Sequence, residues 1–267
     1  MKRKFFLVAV IVGTIAIIGG ISSCKKEESD KSRQIVTLQN PYDYFGKLHN
    51  AAMEELFELY QKRNQVDIPL FAKNFMVNEM GKIKTDLSSS QWNKRFDEDI
   101  AYLNKYIQSI CLSPNPIDFS NSYFAVLTKF QKETLQKLFD GIEKCTDIDA
   151  LPDFIAAIEQ DVLNRKDVQM NEKEIVLGTI SIAKYSYAFF ISHFPKYETD
   201  AKKPSWSDRC LGVLKADAAG FGAGVVGGLL QGHAAVGMVF GPGGAVATLA
   251  ADGTIGAMVG SGMSIFG

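Results

Sequence analysis

The sequence is poor in the residues that metal sites and histidine-dependent enzymes rely on. It contains three histidines, His49, His193 and His233, and they lie in three different segments. No two of them stand at the spacing of a metal-ligand pair on one helix. No Gly-x-Ser-x-Gly nucleophile motif is present either. The sequence therefore predicts no metal and no cofactor.

An excess of positive charge is also absent. The chain has 29 Lys and Arg against 30 Asp and Glu, for a net charge of −1, and no basic stripe stands out. This balance argues against nucleic acid as a partner. The acidic residues fall on the polar faces of predicted helices, where solvated surface is the usual role. We predict that the protein is not an enzyme, and catalysis is the third hypothesis behind two non-enzymatic ones.

Residues 1–23 have the pattern of a targeting segment. A basic start is followed by an apolar run over residues 5–18, and Ile21-Ser22-Ser23-Cys24 closes the segment. This tetrapeptide resembles a bacterial lipobox, which implies a signal peptide over 1–23 and acylation of Cys24, for example with palmitate. The alternative is an uncleaved membrane helix, for which the apolar run is short.

Residues 24–39 are polar and predict an extended tether. Lys25-Lys26-Glu27-Glu28-Ser29-Asp30 resembles the signal that directs lipoproteins of Bacteroidetes to the outer face of the outer membrane. The resemblance implies an outer-membrane or cell-surface location with the membrane as a partner. Each buried methylene of an acyl chain contributes about 0.8 kcal/mol, so several chains on Cys24 hold the protein durably at the bilayer.

Few disulfides are possible. Beyond Cys24 only Cys111, Cys145 and Cys210 remain, which allows at most one internal disulfide. Cys111 and Cys145 are predicted at opposite ends of a helical hairpin, on the order of 30 Å apart. Any pair should therefore include Cys210.

Residues 40–205 predict an α-helical bundle domain, because strand patterns are scarce and apolar residues recur at three- and four-residue spacing. Asn40-Pro41 has the pattern of a helix start. A short helix is expected around Ile68–Met80, a long one after Ser88, and a third capped by Asn121 or Ser122. The apolar residues of the predicted helices fall into stripes. The stripe of the helix after Asn40 is Tyr44, Phe45, Leu48, Ala52, Leu56, Leu59 and Tyr60; that of the helix after Asn121 or Ser122 is Phe124, Leu127, Phe130, Leu135, Leu138 and Ile142; and that of the next helix is Leu151, Ile155, Ile158 and Val162.

The predicted helix over 171–194 is nearly free of charge. From Ile175 to Phe194 its only charged residue is Lys184. A helix that is apolar on most sides is expected at the centre of a bundle.

The stretch NPYDYFGKLHNAAMEEL, residues 40–56, resembles the opening of uncharacterised lipoproteins of Bacteroidetes. The resemblance covers about one helix and implies no known activity. His49 and Asn50 match its pattern and are candidates for a shared role. The alternative for His49 is a histidine on the helix flank beside Phe45 and Ala52, bonded to a neighbouring loop.

Residues 206–267 carry glycines at intervals of four. On a helix such residues share one face, and a face of glycines lets another backbone approach closely. A formal G-x-G-x-x-G match also occurs here, but a helical pattern precedes it where a dinucleotide site needs a strand. Gly241-Pro242-Gly243-Gly244 predicts a turn. The predicted helix-packing residues are Gly220, Gly224, Gly228 and Gly232 before the turn, and Gly256 and Gly260 after it, in a row with Asp252 and Ser264.

This pattern predicts a Gly/Ala-rich helical hairpin whose two small-residue faces meet. Residues 218–240 would form about 34 Å of helix, enough for a hydrocarbon core of about 30 Å. Trp206 is placed as an interfacial anchor or an ordinary linker tryptophan. Gln231, His233 and Asp252 argue against insertion. The tail is similar to glycine-zipper segments of outer-membrane-associated proteins and to the glycine-rich ends of class II bacteriocins and other pore-forming toxins.

Two function hypotheses follow from an all-α body with this tail. In the first, a lipid-anchored surface protein inserts its hairpin into a membrane or self-associates through it as a homo-oligomer. In the second, a structural or ligand-binding envelope lipoprotein keeps the hairpin packed in its own fold. Residues alone leave both hypotheses open.

Overall fold

The protein is an all-α protein, as predicted. The computed structural model describes residues 39–62, 65–82, 88–110, 117–120, 124–194, 196, 204–231 and 242–266. Within these ranges there is no strand, and a short 3₁₀ turn, Ile148–Ala150, precedes the fifth α-helix. The α-helices are α1 (Asp43–Gln61), α2 (Ile68–Lys82), α3 (Ser89–Ile110), α4 (Lys129–Glu143), α5 (Leu151–Asn164), α6 (Met170–His193), α7 (Trp206–Leu230) and α8 (Pro242–Phe266).

The α7–α8 hairpin lies inside the bundle and not beside it. Helix α7 packs against α6, α3 and α4, and helix α8 packs against α2, α1 and α3. Helix α1 in turn packs on α6, and α5 completes the outside against α6 and α4. The chain from Thr37 to Gly267 forms one compact unit. The glycine-rich hairpin is thus the core around which the amphipathic helices are arranged.

The first helix begins later than its sequence pattern indicates. Asn40 does not cap it: the Asn40 side chain accepts from the Tyr42 backbone N–H at 2.9 Å, and α1 starts at Asp43. The Asn40 amide also donates to Glu159 Oε1 at 2.8 Å and to the Leu177 carbonyl at 3.0 Å. Asn40 therefore ties the start of α1 to α5 and α6, and this long-range role displaced the local cap.

The predicted start of the third long helix was also wrong. Asn121 and Ser122 lie outside the described residues. Helix α4 begins at Lys129, where Thr128 and Gln131 form a capping box in which each side chain accepts from the other's backbone N–H. Its buried apolar residues start at Leu135, and Phe124 and Leu127 precede the helix while remaining buried.

The apolar stripes correctly identify most of the core. Helix α2 is confirmed, and the α5 stripe Leu151, Ile155, Ile158 and Val162 is buried throughout. Helix α6 is buried along nearly its whole first half, as expected for a central helix. The α1 stripe was set too wide, because Tyr44 and Tyr60 are 44% and 51% exposed.

The boundaries of the hairpin differ from those predicted. Helix α7 starts at Trp206, where the Ser205 hydroxyl accepts from the Asp208 N–H, and it ends at Leu230 instead of continuing to residue 240. Helix α8 already begins at Pro242, within the predicted turn. Trp206 is 9% exposed and its indole N–H donates to the Phe194 carbonyl at 2.7 Å, so it packs on the bundle.

Several predictions fall outside the described residues. These are the signal peptide, the tether up to residue 38, acylation of Cys24, and the positions of Cys111 and Gly232. Cys145 and Cys210 are both free thiols. Burial, together with the nearby Cys145, raises the pKa of Cys210 to about 12.

Candidate functional site

The facing helices α7 and α8 meet backbone to backbone along the predicted glycine rows. A Cβ atom built on Gly220 would lie 2.7 Å from the carbonyl carbon of Gly256, and one on Gly224 would lie 2.8 Å from that of Asp252. A Cβ on Gly260 would meet the carbonyl of Ala216. The contacts pair Ala216 with Gly260, Gly220 with Gly256, and Gly224 with Asp252. Each step of four residues forward along α7 is thus a step of four residues back along α8, so the two helices are antiparallel. Only glycine allows this approach.

A second set of glycines admits large side chains from neighbouring helices. The ring of Phe221 occupies the space that a Cβ on Gly178 of α6 or on Gly253 of α8 would need. The Phe45 ring of α1 lies 5.8 Å away, centroid to centroid. Phe221 therefore joins four helices, and the hairpin is packed into the bundle through its apolar side as well.

An ion pair lies at the middle of the hairpin. Arg95 of α3 donates to Asp252 of α8 through Nε to Oδ1 at 2.9 Å and through Nη2 to Oδ2 at 2.7 Å. The two residues are 6% and 0% exposed. The guanidinium also lies over the Trp92 ring at 5.4 Å. A bidentate pair with this burial fixes α3 against α8 at one position.

Asp99 completes the charge balance of this cluster. It follows Arg95 by one helical turn and is 2% exposed. Burial and the neighbouring Asp252 carboxylate hold the pKa of Asp99 well above its usual range. Gln231, just past α7, donates to Asp99 Oδ1 at 3.4 Å. A neutral Asp99 beside the Arg95–Asp252 pair leaves these three side chains without a net charge.

A second polar cluster joins α1, α7 and α8. The Ser261 hydroxyl lies 2.8 Å from His49 Nε2 and is hydrogen-bonded to Asp217 Oδ1. On its other side, His49 Nδ1 lies 3.3 Å from Asn50 Oδ1, and the Asn50 amide donates to the Tyr185 carbonyl of α6 at 2.9 Å. His49, Asp217 and Ser261 are each no more than 1% exposed.

The hydrogen-bond partners restrict the protonation states of this cluster. Because the Asn50 amide nitrogen is bound to a carbonyl, its oxygen must accept from a protonated His49 Nδ1. Burial lowers the pKa of His49 to about 4, with the Asn50 contact opposing the shift. Burial also raises the pKa of Asp217 well above its usual range, with Ser186 opposing it. A neutral imidazole and a neutral carboxyl, joined through the Ser261 hydroxyl, satisfy these constraints.

This serine, histidine and aspartate do not have the geometry of a nucleophilic triad. In a triad the acid binds the imidazole nitrogen distal to the serine. Here Asp217 bonds to Ser261, while Asn50 takes the distal nitrogen of His49. The Ser261 hydroxyl is sealed from solvent. Among the described residues, no group of three His, Cys, Asp or Glu side chains is placed to hold a metal ion.

The structure brings most of the residues singled out from the sequence to one region. Gly220, Gly224, Gly256 and Gly260 lie in the α7–α8 interface, and Gly228 faces the Asp252 carboxyl. His49 and Asn50 tie α1 to the hairpin and to α6, so the loop contact considered for His49 was wrong. Ser264 is exposed, and the small-residue row ends before it.

The partners Arg95, Asp99, Asp217 and Ser261 were not identified from the sequence. Asp217 and Asp252 bracket 34 residues without formal charge. Two isolated acidic residues at the ends of such an apolar run indicate that polar partners lie nearby in the fold, since buried charges need partners. The identity of those partners depends on the tertiary fold.

Within the part of the chain that the structure describes, two helices are long and apolar enough to cross a membrane by length and hydropathy. They are α6 and α7, and 67% and 83% of their most apolar windows are buried inside the fold. Core helices of water-soluble bundles have the same properties, so this feature alone does not indicate a membrane span.

Comparisons with known proteins found no matching family model, no matching curated protein and no matching solved structure.

Proposed function

We propose that this chain is a non-enzymatic, lipid-anchored envelope lipoprotein of the outer membrane or cell surface, in which the glycine-zipper hairpin is the permanent core of a ligand-binding helical bundle. Acylation of Cys24 supplies the membrane anchor. The bundle beyond the tether supplies the binding surface. This is the second of the two hypotheses that the sequence leaves open.

The observation that carries the proposal is the bidentate Arg95–Asp252 pair. Asp252 is an acidic residue within an apolar part of the hairpin, it is 0% exposed, and it is bound by Arg95 of α3. Withdrawal of α8 from the bundle would leave Arg95 and Asp252 without each other. Removing one partner of a buried pair typically costs about 3–5 kcal/mol.

The second polar cluster supports the same interpretation. Release of the hairpin would also separate His49 from Ser261 and Asp217, three groups that lie on three helices. The two buried polar clusters of the hairpin thus each include a side chain of a surrounding helix, Arg95 of α3 in one and His49 of α1 in the other. Such matching is expected of elements that stay together, because buried polar groups need partners in the state that persists.

A membrane-inserting hairpin is the second candidate. It is favoured by the backbone-to-backbone glycine contact of α7 with α8, which involves no other helix and would persist if the pair left the bundle together. In that case the surrounding helices would shield the hairpin from water until it dissociates from them and inserts.

Deletion of residues 206–267 from the otherwise complete chain separates the two candidates. If the hairpin is the core, the remainder loses cooperative unfolding and most of its helical circular dichroism, because α1, α2, α3 and α6 all pack against the hairpin. A stable, fully helical remainder would contradict the proposal. Dye release from vesicles by the intact protein, abolished by Gly224→Leu, would support the second candidate instead.

A further inference from the structure

A cavity of about 390 Å³ lies where α1, α2 and α8 meet. Its inner wall is apolar and buried: Phe45, Met76, Met80 and Ala251 are each no more than 3% exposed. Leu48 also lines it and is partly buried. The volume lies at the lower end of the range of small-ligand cavities, about 300–1,000 Å³. It therefore suits one acyl chain better than the two chains of a phospholipid.

The rim of this cavity carries charged side chains. Lys47 of α1 is exposed and forms no ion pair with any described residue. Lys82 of α2 is paired with Glu79, one turn before it on the same helix. Among the described residues of the rim, Lys47 is thus a positive charge without an ion-pair partner at the opening of an apolar cavity. Lysine stems also pack along apolar surface while the ammonium stays in water.

We propose that this cavity binds a single-chain amphiphile with an anionic head group, its chain in the cavity and its head at Lys47. The inference rests on the proposed function, because Ala251 and Thr254 of α8 line the cavity only while the hairpin stays in the bundle. The same chemistry is offered by a free fatty acid and by an anionic lysolipid. A cationic or uncharged head of equal chain length lacks the attraction to Lys47.

The test is photolabelling of the full-length protein in membrane vesicles. The probes are a fatty acid and an anionic lysolipid, each with a photoreactive chain and a clickable tag, and labelled peptides are mapped by mass spectrometry. We expect labels on residues 44–48 and 76–80, at least threefold reduced by excess laurate and unchanged by dodecylamine. Comparison of the two probes distinguishes the free acid from the lysolipid.

Two variants test the residues. Lys47→Glu should lower the labelling of these peptides at least threefold, whereas Lys166→Glu, a charge reversal on the exposed loop before α6, should leave it unchanged. Leu48→Trp fills the cavity and should also reduce labelling, with circular dichroism verifying the fold. Equal competition by dodecylamine, or unaltered labelling of Lys47→Glu, would overturn the inference. Labels along the glycine faces of α7 and α8 would instead show that the hairpin leaves the bundle, and would contradict the proposed function itself.

Discussion

Gly224 of α7 lies directly against the backbone of Asp252 in α8, so close that a Cβ on Gly224 would come within 2.8 Å of the Asp252 carbonyl carbon. The side chain of the same Asp252 is held by Arg95 of α3. One residue of α8 is therefore fixed by its backbone to α7 and by its carboxylate to α3. This double constraint is expected of a hairpin that is a permanent part of the core, and not of a hairpin that the other helices only shield from solvent.

The glycine contact predicts opposite effects at two neighbouring positions of α7. Gly224→Ala should destabilise the fold by about 1–3 kcal/mol, because the added methyl meets backbone atoms that cannot move aside. Gly222→Ala is the matched control, since a Cβ there meets nothing within 4 Å. It should stabilise the helix by about 0.5–1 kcal/mol. Urea denaturation of both variants measures the difference, and equal effects would refute the close contact.

Removal of the buried guanidinium should be much more costly than removal of an exposed one. Arg95→Ala leaves the Asp252 carboxylate buried without its partner, and we expect a loss of about 3–5 kcal/mol. Arg165→Ala, at an exposed bidentate pair with Asp167, is the control and should change the midpoint of urea denaturation little. Arg95→Met combined with Asp252→Leu should recover most of the lost stability. Failure of Arg95→Ala to exceed Arg165→Ala would show that the pair is not buried in solution.

The histidine cluster predicts a loss of stability in acid. Burial lowers the pKa of native His49 to about 4, whereas an unfolded histidine takes up its proton near 6.5. Between these values the unfolded chain binds more protons, so stability falls as the pH drops from about 6.5 to 4, by on the order of 3 kcal/mol. The His49→Gln variant, although less stable overall, should lack this decrease in the free energy of unfolding with falling pH. The partly exposed His193→Gln serves as control and should retain it.

Glu174 predicts a pH dependence of the opposite sign. Burial raises its pKa to about 7 in the fold, above the value of about 4.5 for the free side chain. The stabilising contribution of its proton is complete below about pH 4.5 and is lost as the pH rises through 7. Glu174→Gln should therefore have a higher melting temperature than the wild type at pH 8 and no such advantage at pH 4.5. Melting curves at the two pH values check this, and an identical difference at both would contradict it.

Sequence patterns predicted the helices well where burial is periodic, as in α5, and predicted the glycine faces of α7 and α8. They failed where a residue contacts distant elements. Asn40 has the local sequence pattern of a helix cap, because it directly precedes a proline and an apolar helical stripe. In the fold its side chain instead binds Glu159 and the Leu177 carbonyl, which are distant in sequence. The sequence left open whether the hairpin packs inside the bundle or inserts into a membrane, because an apolar glycine-rich segment has the same composition in both environments.

The central claim is that the hairpin stays in the core, and hydrogen exchange of the intact, membrane-anchored protein tests it most directly. Peptides from α7 and α8 should exchange as slowly as those from α6, through global unfolding alone, and addition of anionic vesicles should leave their protection unchanged. Fast exchange in α7 and α8, or a change in their protection on vesicle addition while α4 and α5 stay protected, would contradict it.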